Sequence, residues 1–283
     1  MKQAFIILIF CCLRTSGLTA QNTTYTKADS VEIVTLLNNG EPSTLFFAEK
    51  FLGRPYVAHT LEVNDEEQLV VNTRQLDCTT LVENVVALTL CSQNGQTGFS
   101  DFCDMLQKLR YRQGIIDRYP SRLHYFCDWI EDNTEMGFVS EVQKKEAPFT
   151  AIQLLNINYM TRHADSYAAL RKHPEFIKEI KSQETALTGQ EYRFIPKALV
   201  KNTLSLRNII QDGDIIAITC SKPGLDIAHL GFAVWKEDGL HLLNASQLHK
   251  KVVTEPMTLG QYLSKHPSHT GIRIIRIHQN IKK

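Results

Sequence analysis

The spacing of apolar residues changes along this chain, and that change limits the possible folds more than any other feature. From Leu81 to Leu90 the apolar positions Val82, Val85, Val86 and Leu90 recur at helical spacing. Helices are also expected over Ser30–Leu37, capped by Asp29 or Ser30, and over Ser43–Leu52, stopped by Gly53. Further helices are expected at Ser100–Arg110 and Ser121–Glu135, and near Ser166–Lys172 and Glu175–Glu184 within the charged stretch 141–205. Leu69-Val70-Val71 reads as a short strand. Beyond the turn signal Gln211-Asp212-Gly213-Asp214, strands are expected at Ile215–Thr219, His229–Trp235, Leu240–Ala245 and Gly271–Ile277. Helices first and a meander of strands later define an α+β class. No repeat or low-complexity linker divides the chain, so residues 21–283 read as a single domain.

Composition narrows the function classes. A hydrophobic share of 43% with 22% charged residues excludes wholesale disorder. Lys+Arg is 31 against 30 Asp+Glu, too balanced for nucleic-acid or anionic-membrane binding by bulk charge. The N-terminus has the three parts of a secretory signal peptide over residues 1–20: Lys2, the apolar run Ala4–Leu13, and a small polar stretch ending at Thr19-Ala20. That run is shorter than the roughly 20 apolar residues a membrane span needs. A lipoprotein reading would acylate Cys11 or Cys12, but Phe10 is bulky where a small residue is wanted. Export is therefore expected, with no stable membrane insertion. Export leads to an oxidising compartment, where cysteines tend to pair. Cys78, Cys91, Cys103, Cys127 and Cys220 remain after the signal, an odd number; pairing among Cys91, Cys103, Cys127 and Cys220 stays open, as does the oligomeric state.

Two segments carry chemistry. Cys78, in Asp77-Cys78-Thr79-Thr80-Leu81-Val82, stands where a short strand gives way to an apolar helix. Free N–H groups and the positive dipole end at a helix start favour a thiolate and can hold an oxyanion. A thiol nucleophile needs a base, and the base an orienting partner. In the strand His229–Trp235, residues His229, Gly231 and Ala233 share one face and Leu230, Phe232 and Val234 the other. The following strand carries Asn244. If Asp238-Gly239 forms a two-residue loop, paired residue numbers sum to 477, and a four-residue loop gives 475. Either odd sum puts His229 and Asn244 on one face, and the second sets Asn244 opposite Gly231, one diagonal step of roughly 7–8 Å from His229. The Asn244 side chain could then accept the imidazole N–H and fix its tautomer. Small Gly231 and Ala233 would leave room for the Cys78 helix. His124 is the rival base, and Asn244-Ala245-Ser246 is an incidental glycosylation sequon. Neither a metal nor a cofactor is expected: there is no His-Glu-x-x-His, no Cys-x-x-Cys and no phosphate-binding glycine loop.

Taken together, these segments resemble the NlpC/P60 superfamily of papain-like cysteine amidases. Gly53-Arg54-Pro55-Tyr56 resembles the Gly-x-Pro-Tyr segment, and Asp77-Cys78-Thr79-Thr80-Leu81-Val82 the nucleophile motif with two threonines in place of Ser-Gly. Gly213-Asp214-Ile215-Ile216, Ala228-His229-Leu230-Gly231-Phe232 and Asn244-Ala245-Ser246 follow in the family's order. Cys78 and His229 are 151 residues apart, far more than in compact members. The added segment, with Arg110-Tyr111-Arg112-Gln113-Gly114, Ser121-Arg122-Leu123-His124-Tyr125 and Asp128-Trp129-Ile130, resembles the DUF1460 branch. The resemblance implies a papain-like core, the Cys helix packed on an antiparallel sheet, with a large helical insertion at about 95–205. It also implies an N-acetylmuramoyl-L-alanine amidase in the periplasm of a Gram-negative bacterium. Its partners would be soluble peptidoglycan fragments, notably disaccharide peptides ending in 1,6-anhydro-N-acetylmuramic acid.

On that reading Cys78 attacks, His229 moves the proton, Asn244 orients His229, and the Tyr56 hydroxyl joins the Cys78 N–H at the oxyanion. Arg112 and Arg122 are candidates for substrate carboxylates, Tyr111 and Trp129 for sugar faces, and His124 for a further substrate contact. The same side chains also read as surface ion pairs and helix core. Asp77 would bind a substrate amine or cap the Cys78 helix. The alternatives are a γ-D-glutamyl-diamino acid endopeptidase with the same chemistry and an inactive wall-binding module with the same fold.

Overall fold

The computed structural model describes residues 23–39 and 43–278; the signal peptide expected over residues 1–20 lies outside them. The N-terminal half is mainly helical. A two-residue strand β1 (Thr23–Thr24) precedes α1 (Lys27–Asn39) and α2 (Thr44–Glu49), and β2 (Leu69–Val70) precedes α3 (Cys78–Gln93), α4 (Phe99–Arg110) and α5 (Phe126–Glu135). Then come β3 (Val139–Val142), β4 (Ala151–Leu154), α6 (Tyr159–Arg162), α7 (Ala168–Lys172), α8 (Phe176–Leu187) and β5 (Glu191–Pro196). The last part holds α9 (Leu204–Ile209), β6 (Ile215–Cys220), β7 (Ile227–Trp235), β8 (Leu240–Ser246), β9 (Lys251–Thr254), α10 (Leu259–Lys265) and β10 (His269–Ile277).

Seven strands run in the order β4-β5-β10-β6-β7-β8-β9, with β3 also on β10, and every pairing is antiparallel. The insertion expected to be helical thus supplies three strands to the sheet. Their short alternating stretches (Val139-Ser140-Glu141-Val142 and Ala151-Ile152-Gln153-Leu154) are hidden in a charged segment, which is why helical spacing alone missed them. Strand β6, Ile-Ile-Ala-Ile-Thr-Cys, is buried through Thr219 because helices cover both faces of the sheet. One core packs α1–α5 on Ile215, Ala217, Leu230, Phe232, Leu243 and Ala245. A second packs α9 and α10 on Ile216, Ile218, Ala233, Leu242, Ile272 and Ile274. A smaller cluster sits around α6–α8.

Helix α3 is the centre of the first core. An apolar stripe was expected; instead every residue from Thr80 to Cys91 is buried, as in a helix surrounded by protein. Leu81, Val82, Val85 and Val86 are fully buried, each contributing about 1.5–3 kcal/mol by transfer from water. A buried ion pair ties α3 to its neighbours: Arg110 donates to Glu83 Oε2 at 2.7 Å and to the Val70 carbonyl at 2.7 Å. The expected helix Ser121–Glu135 begins only at Phe126. Tyr119–Ser121 forms a 3₁₀ turn around Pro120, and Arg122 pairs with Tyr111, so this stretch is spent on a chain crossing.

Candidate active site

The position of Cys78 is set by a local device. Asp77 is the N-cap of α3: its Oδ1 accepts from the Thr80 N–H at 2.8 Å, and its own N–H donates to Thr80 Oγ1 at 2.9 Å. The second threonine of Asp-Cys-Thr-Thr therefore closes a capping box, and Cys78 is fixed as the first helical residue. The cap engages Oδ1 of the Asp77 carboxylate.

Cys78 and Thr79 line a cavity of about 90 Å³ with Leu123, His124, Phe126 and the run Leu225–Leu230, which includes His229. Thiol and imidazole thus face one space. A larger cavity, about 200 Å³, lies elsewhere between Glu62, Glu67, Arg118, Arg122 and Phe176 and contains no thiol.

The β7–β8 register decides the imidazole's partner. The ladder runs Phe232↔Leu243, Ala233↔Leu242, Val234↔His241 and Trp235↔Leu240, the four-residue-loop register whose numbers sum to 475. One step further along, Asn244 faces Gly231, and His229 Nε2 lies 2.9 Å from Asn244 Oδ1. An amide oxygen only accepts, so Nε2 donates and Nδ1 keeps its lone pair. The bulge at Ile218/Thr219 falls on the β6 side of β7 and leaves this register intact.

The expected docking face needs correction. Helix α3 packs on Leu230, Phe232 and Leu243, the large-residue face, and not over Gly231 and Ala233. At Gly231 a Cβ would lie 2.6 Å from the Leu243 carbonyl, so this glycine admits the β8 backbone. Ala233 belongs to the opposite core.

The thiol's electrostatics also differ from expectation. Burial, joined by the charge of Asp77, pushes the Cys78 thiol up to about 12, although the Leu230 N–H, the Thr79 hydroxyl and the Cys78 N–H favour the thiolate. Desolvation opposes the helix start and favours the protonated thiol. Burial holds His229 below the usual imidazole range, against the raising effects of Asn244, Glu255 and Asp77. Tyr56, bridged to Leu76, is pushed up to about 12 by burial and by the charges of Cys78 and Asp77, so it keeps its proton near the sulfur.

The expected substrate contacts divide. His124 reaches the Cys78 cavity; its Nε2 faces the Tyr119 carbonyl at 3.0 Å, and burial with nearby Arg122 lowers it to about 3. Burial disfavours its protonated form, as it does that of His229. Arg122 donates to Glu67 at 3.0 and 2.7 Å and borders the larger cavity. Arg112 grips Asp128 through both terminal nitrogens and borders a different cavity. Tyr111 is 1% exposed with its hydroxyl on Glu67, and Trp129 is 0% exposed, stacked on Phe126 with centroids 4.9 Å apart. These two are core residues and offer no face to a sugar. Asn244 is also fully buried, which rules out its sequon as a glycan acceptor.

Three groups near the site went unseen in the sequence: the Leu230 N–H, Tyr262 and Glu255. Tyr262, on α10, is pushed up to about 12 by burial, Glu255 and Cys78. A capping box formed by Thr258 and Gln261 announces its helix, but nothing local announces its proximity to the thiol. All five cysteines of the described residues are free. Among those residues no cluster of three or more His, Cys, Asp or Glu side chains could hold a metal, and no helix is long and apolar enough to cross a membrane.

A capped cysteine and an amide-held histidine on one cavity of an α+β fold define a thiol–imidazole site. The profile of the AmiA-like family, described as N-acetylmuramoyl-L-alanine amidase-like, matches residues 46–272, and this chain belongs to that family. The crystal structure of an N-acetylmuramoyl-L-alanine amidase from Bacteroides uniformis ATCC 8492 superposes with a TM-score of 0.78 at 42% identity, over 84% of this chain and 99% of that one. A Bacteroides fragilis protein provisionally named a xylanase gives 0.76 at 40% identity, over 81% and 99% of the two chains. Protein LPG0564 from Legionella pneumophila str. Philadelphia 1, of the DUF1460 family, gives 0.67 at 25% identity, over 88% and 93%. No curated protein matches.

Proposed function

We propose that this protein is an exported cysteine amidase that cleaves the amide between the lactyl group of N-acetylmuramic acid and L-alanine. Its substrates on this reading are soluble 1,6-anhydro-muropeptides in a Gram-negative periplasm. The observation that carries the reading is the shared cavity of Cys78 and His229, with His229 Nε2 bound to Asn244 so that Nδ1 is the free base. The family match supplies the substrate class, and the core is read as a papain-like NlpC/P60 arrangement of α3 on β6–β8.

In this cycle Cys78 Sγ attacks the lactyl carbonyl while its proton passes to His229 Nδ1, giving a tetrahedral oxyanion and an imidazolium. The Tyr56 hydroxyl and the Cys78 N–H donate to the oxyanion. The C–N bond then breaks as the imidazolium protonates the alanine nitrogen, leaving a thioester. Water, deprotonated by His229, attacks the thioester; the C–S bond breaks and the thiol is restored. Asp226 is the single carboxylate lining the cavity, so the two-carboxylate geometry of a glycosidase has no counterpart there.

The test is mass spectrometry of products from a disaccharide-peptide. An amidase frees a peptide that begins with L-alanine, whereas a γ-D-glutamyl endopeptidase leaves L-alanine on the sugar and a wall-binding module releases nothing. Cys78→Ala should lower turnover by about 10³-fold or more while thermal unfolding stays unchanged. Persisting cleavage in that variant would retire the mechanism.

A further inference from the structure

One buried acid stands behind the imidazole–amide pair and has no part in the cycle above. Glu255 follows β9 and is 1% exposed. Its backbone is pinned on both sides: the N–H donates to the Leu242 carbonyl at 2.8 Å, and the carbonyl accepts from His241 Nδ1 at 2.8 Å. Its side chain bridges two polar groups. Oε1 accepts from Asn244 Nδ2 at 3.1 Å, and Oε2 accepts from His249 Nε2 at 3.1 Å. His249, 39% exposed, is the single basic side chain within ion-pair distance of Glu255 among the described residues. The result is a continuous chain from the catalytic cavity to solvent: His229, Asn244, Glu255, His249.

We propose that Glu255 is a positioning residue that sets the tautomer of His229 through Asn244. The inference rests on the reading of Cys78 and His229 as nucleophile and base. An amide has two nearly isosteric ends, and nothing in its shape decides which end meets the imidazole. A carboxylate only accepts, so Glu255 admits only the NH₂ end of Asn244. The amide oxygen is then committed to His229, Nε2 must carry the proton, and Nδ1 is left as a base for the thiol. A reversed amide would present its NH₂ to Nε2, move the proton to Nδ1 and leave no base where the sulfur needs one. The second amide hydrogen donates to the Leu242 carbonyl at 3.3 Å, an acceptor that favours the same orientation. Asn244 thereby does the work of a carboxylate without placing a charge beside the imidazole, and the charge is kept one residue further back.

The test exchanges the two functional groups. Glu255→Gln lets the amide at 244 adopt both orientations, and kcat should fall by about 10- to 100-fold with KM within about twofold. The double variant Asn244→Asp with Glu255→Gln restores an acceptor-only group against His229 and should regain most of the lost kcat. ¹⁵N-histidine NMR reads the tautomer directly: wild-type His229 should carry its proton on Nε2, and Glu255→Gln should add the Nδ1–H form. A wild-type Nδ1–H tautomer, an unrescued double variant, or a Glu255→Gln enzyme within about twofold of wild-type kcat each overturns the proposal. Should Glu255→Gln fail to fold, the wild-type spectrum and the double variant still decide the question. Cys78→Ala separates the two claims. Activity surviving in Cys78→Ala sinks the underlying mechanism, whereas an inactive Cys78→Ala beside a fully active Glu255→Gln sinks only the role of Glu255.

Discussion

The α3–β7–β8 corner and the inserted segment at 95–205 both carry residues that chemistry would single out, yet the structure treats them differently. At the corner, Cys78 and His229 open onto one cavity and Asn244 holds the imidazole. In the insertion, Arg112 and Arg122 are paired with Asp128 and Glu67, and Tyr111 and Trp129 are sealed in the core that surrounds α3. The insertion packs around α3 and also lends Leu123, His124 and Phe126 to the cavity. Arginines and large aromatics serve packing and ion pairing as readily as they serve ligands, so their residue type alone points nowhere. A thiol one residue past an N-cap is harder to explain as packing.

Four measurements would break or sharpen this contrast. Trp129→Ala should destabilise the fold by about 3–5 kcal/mol in urea unfolding, with the KM of the folded fraction unchanged. A rise in KM without loss of stability would return Trp129 to the substrate. His124 is the titratable insertion residue that lines the Cys78 cavity, and its lowered value gives a signed pH effect. The unfolded chain takes up a proton below about 6.5 and the folded one only near 3, so stability falls as pH drops through that window. The contribution is at most about 1.4 kcal/mol per pH unit, and His124→Gln should flatten the decline between pH 6 and pH 4 in denaturant titrations. An unchanged slope would mean that His124 is not held neutral. At the corner, Tyr56→Phe should lower kcat by about 10- to 100-fold with little change in KM, because the hydroxyl is engaged only when the oxyanion forms. An unaffected kcat would remove Tyr56 from the oxyanion site. The smallest effect belongs to Arg112→Ala: its partly exposed pair with Asp128 should cost about 1 kcal/mol or less, with KM within twofold. A large rise in KM there would join the insertion to the substrate site.

Much of the architecture is legible in the residues themselves. Helices α1–α4 and strands β6, β7, β8 and β10 fall where periodicity places them, give or take a few residues. The failures have specific causes. Strands β3–β5 are short and lie in charged sequence; β3 and β5 pair with β10, more than 70 residues away, and β4 pairs with β5. Pro120 and the Arg122–Tyr111 pairing stop α5 from starting at Ser121. Glu255 sits one residue past a four-residue strand that periodicity did not reveal.

What the sequence determined alone is what hydrogen bonds within three or four residues can settle. The thiol at the first turn of α3 and the shared face of His229 and Asn244 follow from local spacing and from the two-residue repeat of a strand. Tertiary structure decided what depends on water and on distant partners. It selected one of two hairpin registers, raised the Cys78 thiol by desolvation where the helix start alone would have lowered it, and committed Arg122 to a glutamate 55 residues away. Desolvation and ion pairing are properties of the space around a group, and that space is filled by parts of the chain that local sequence does not contain.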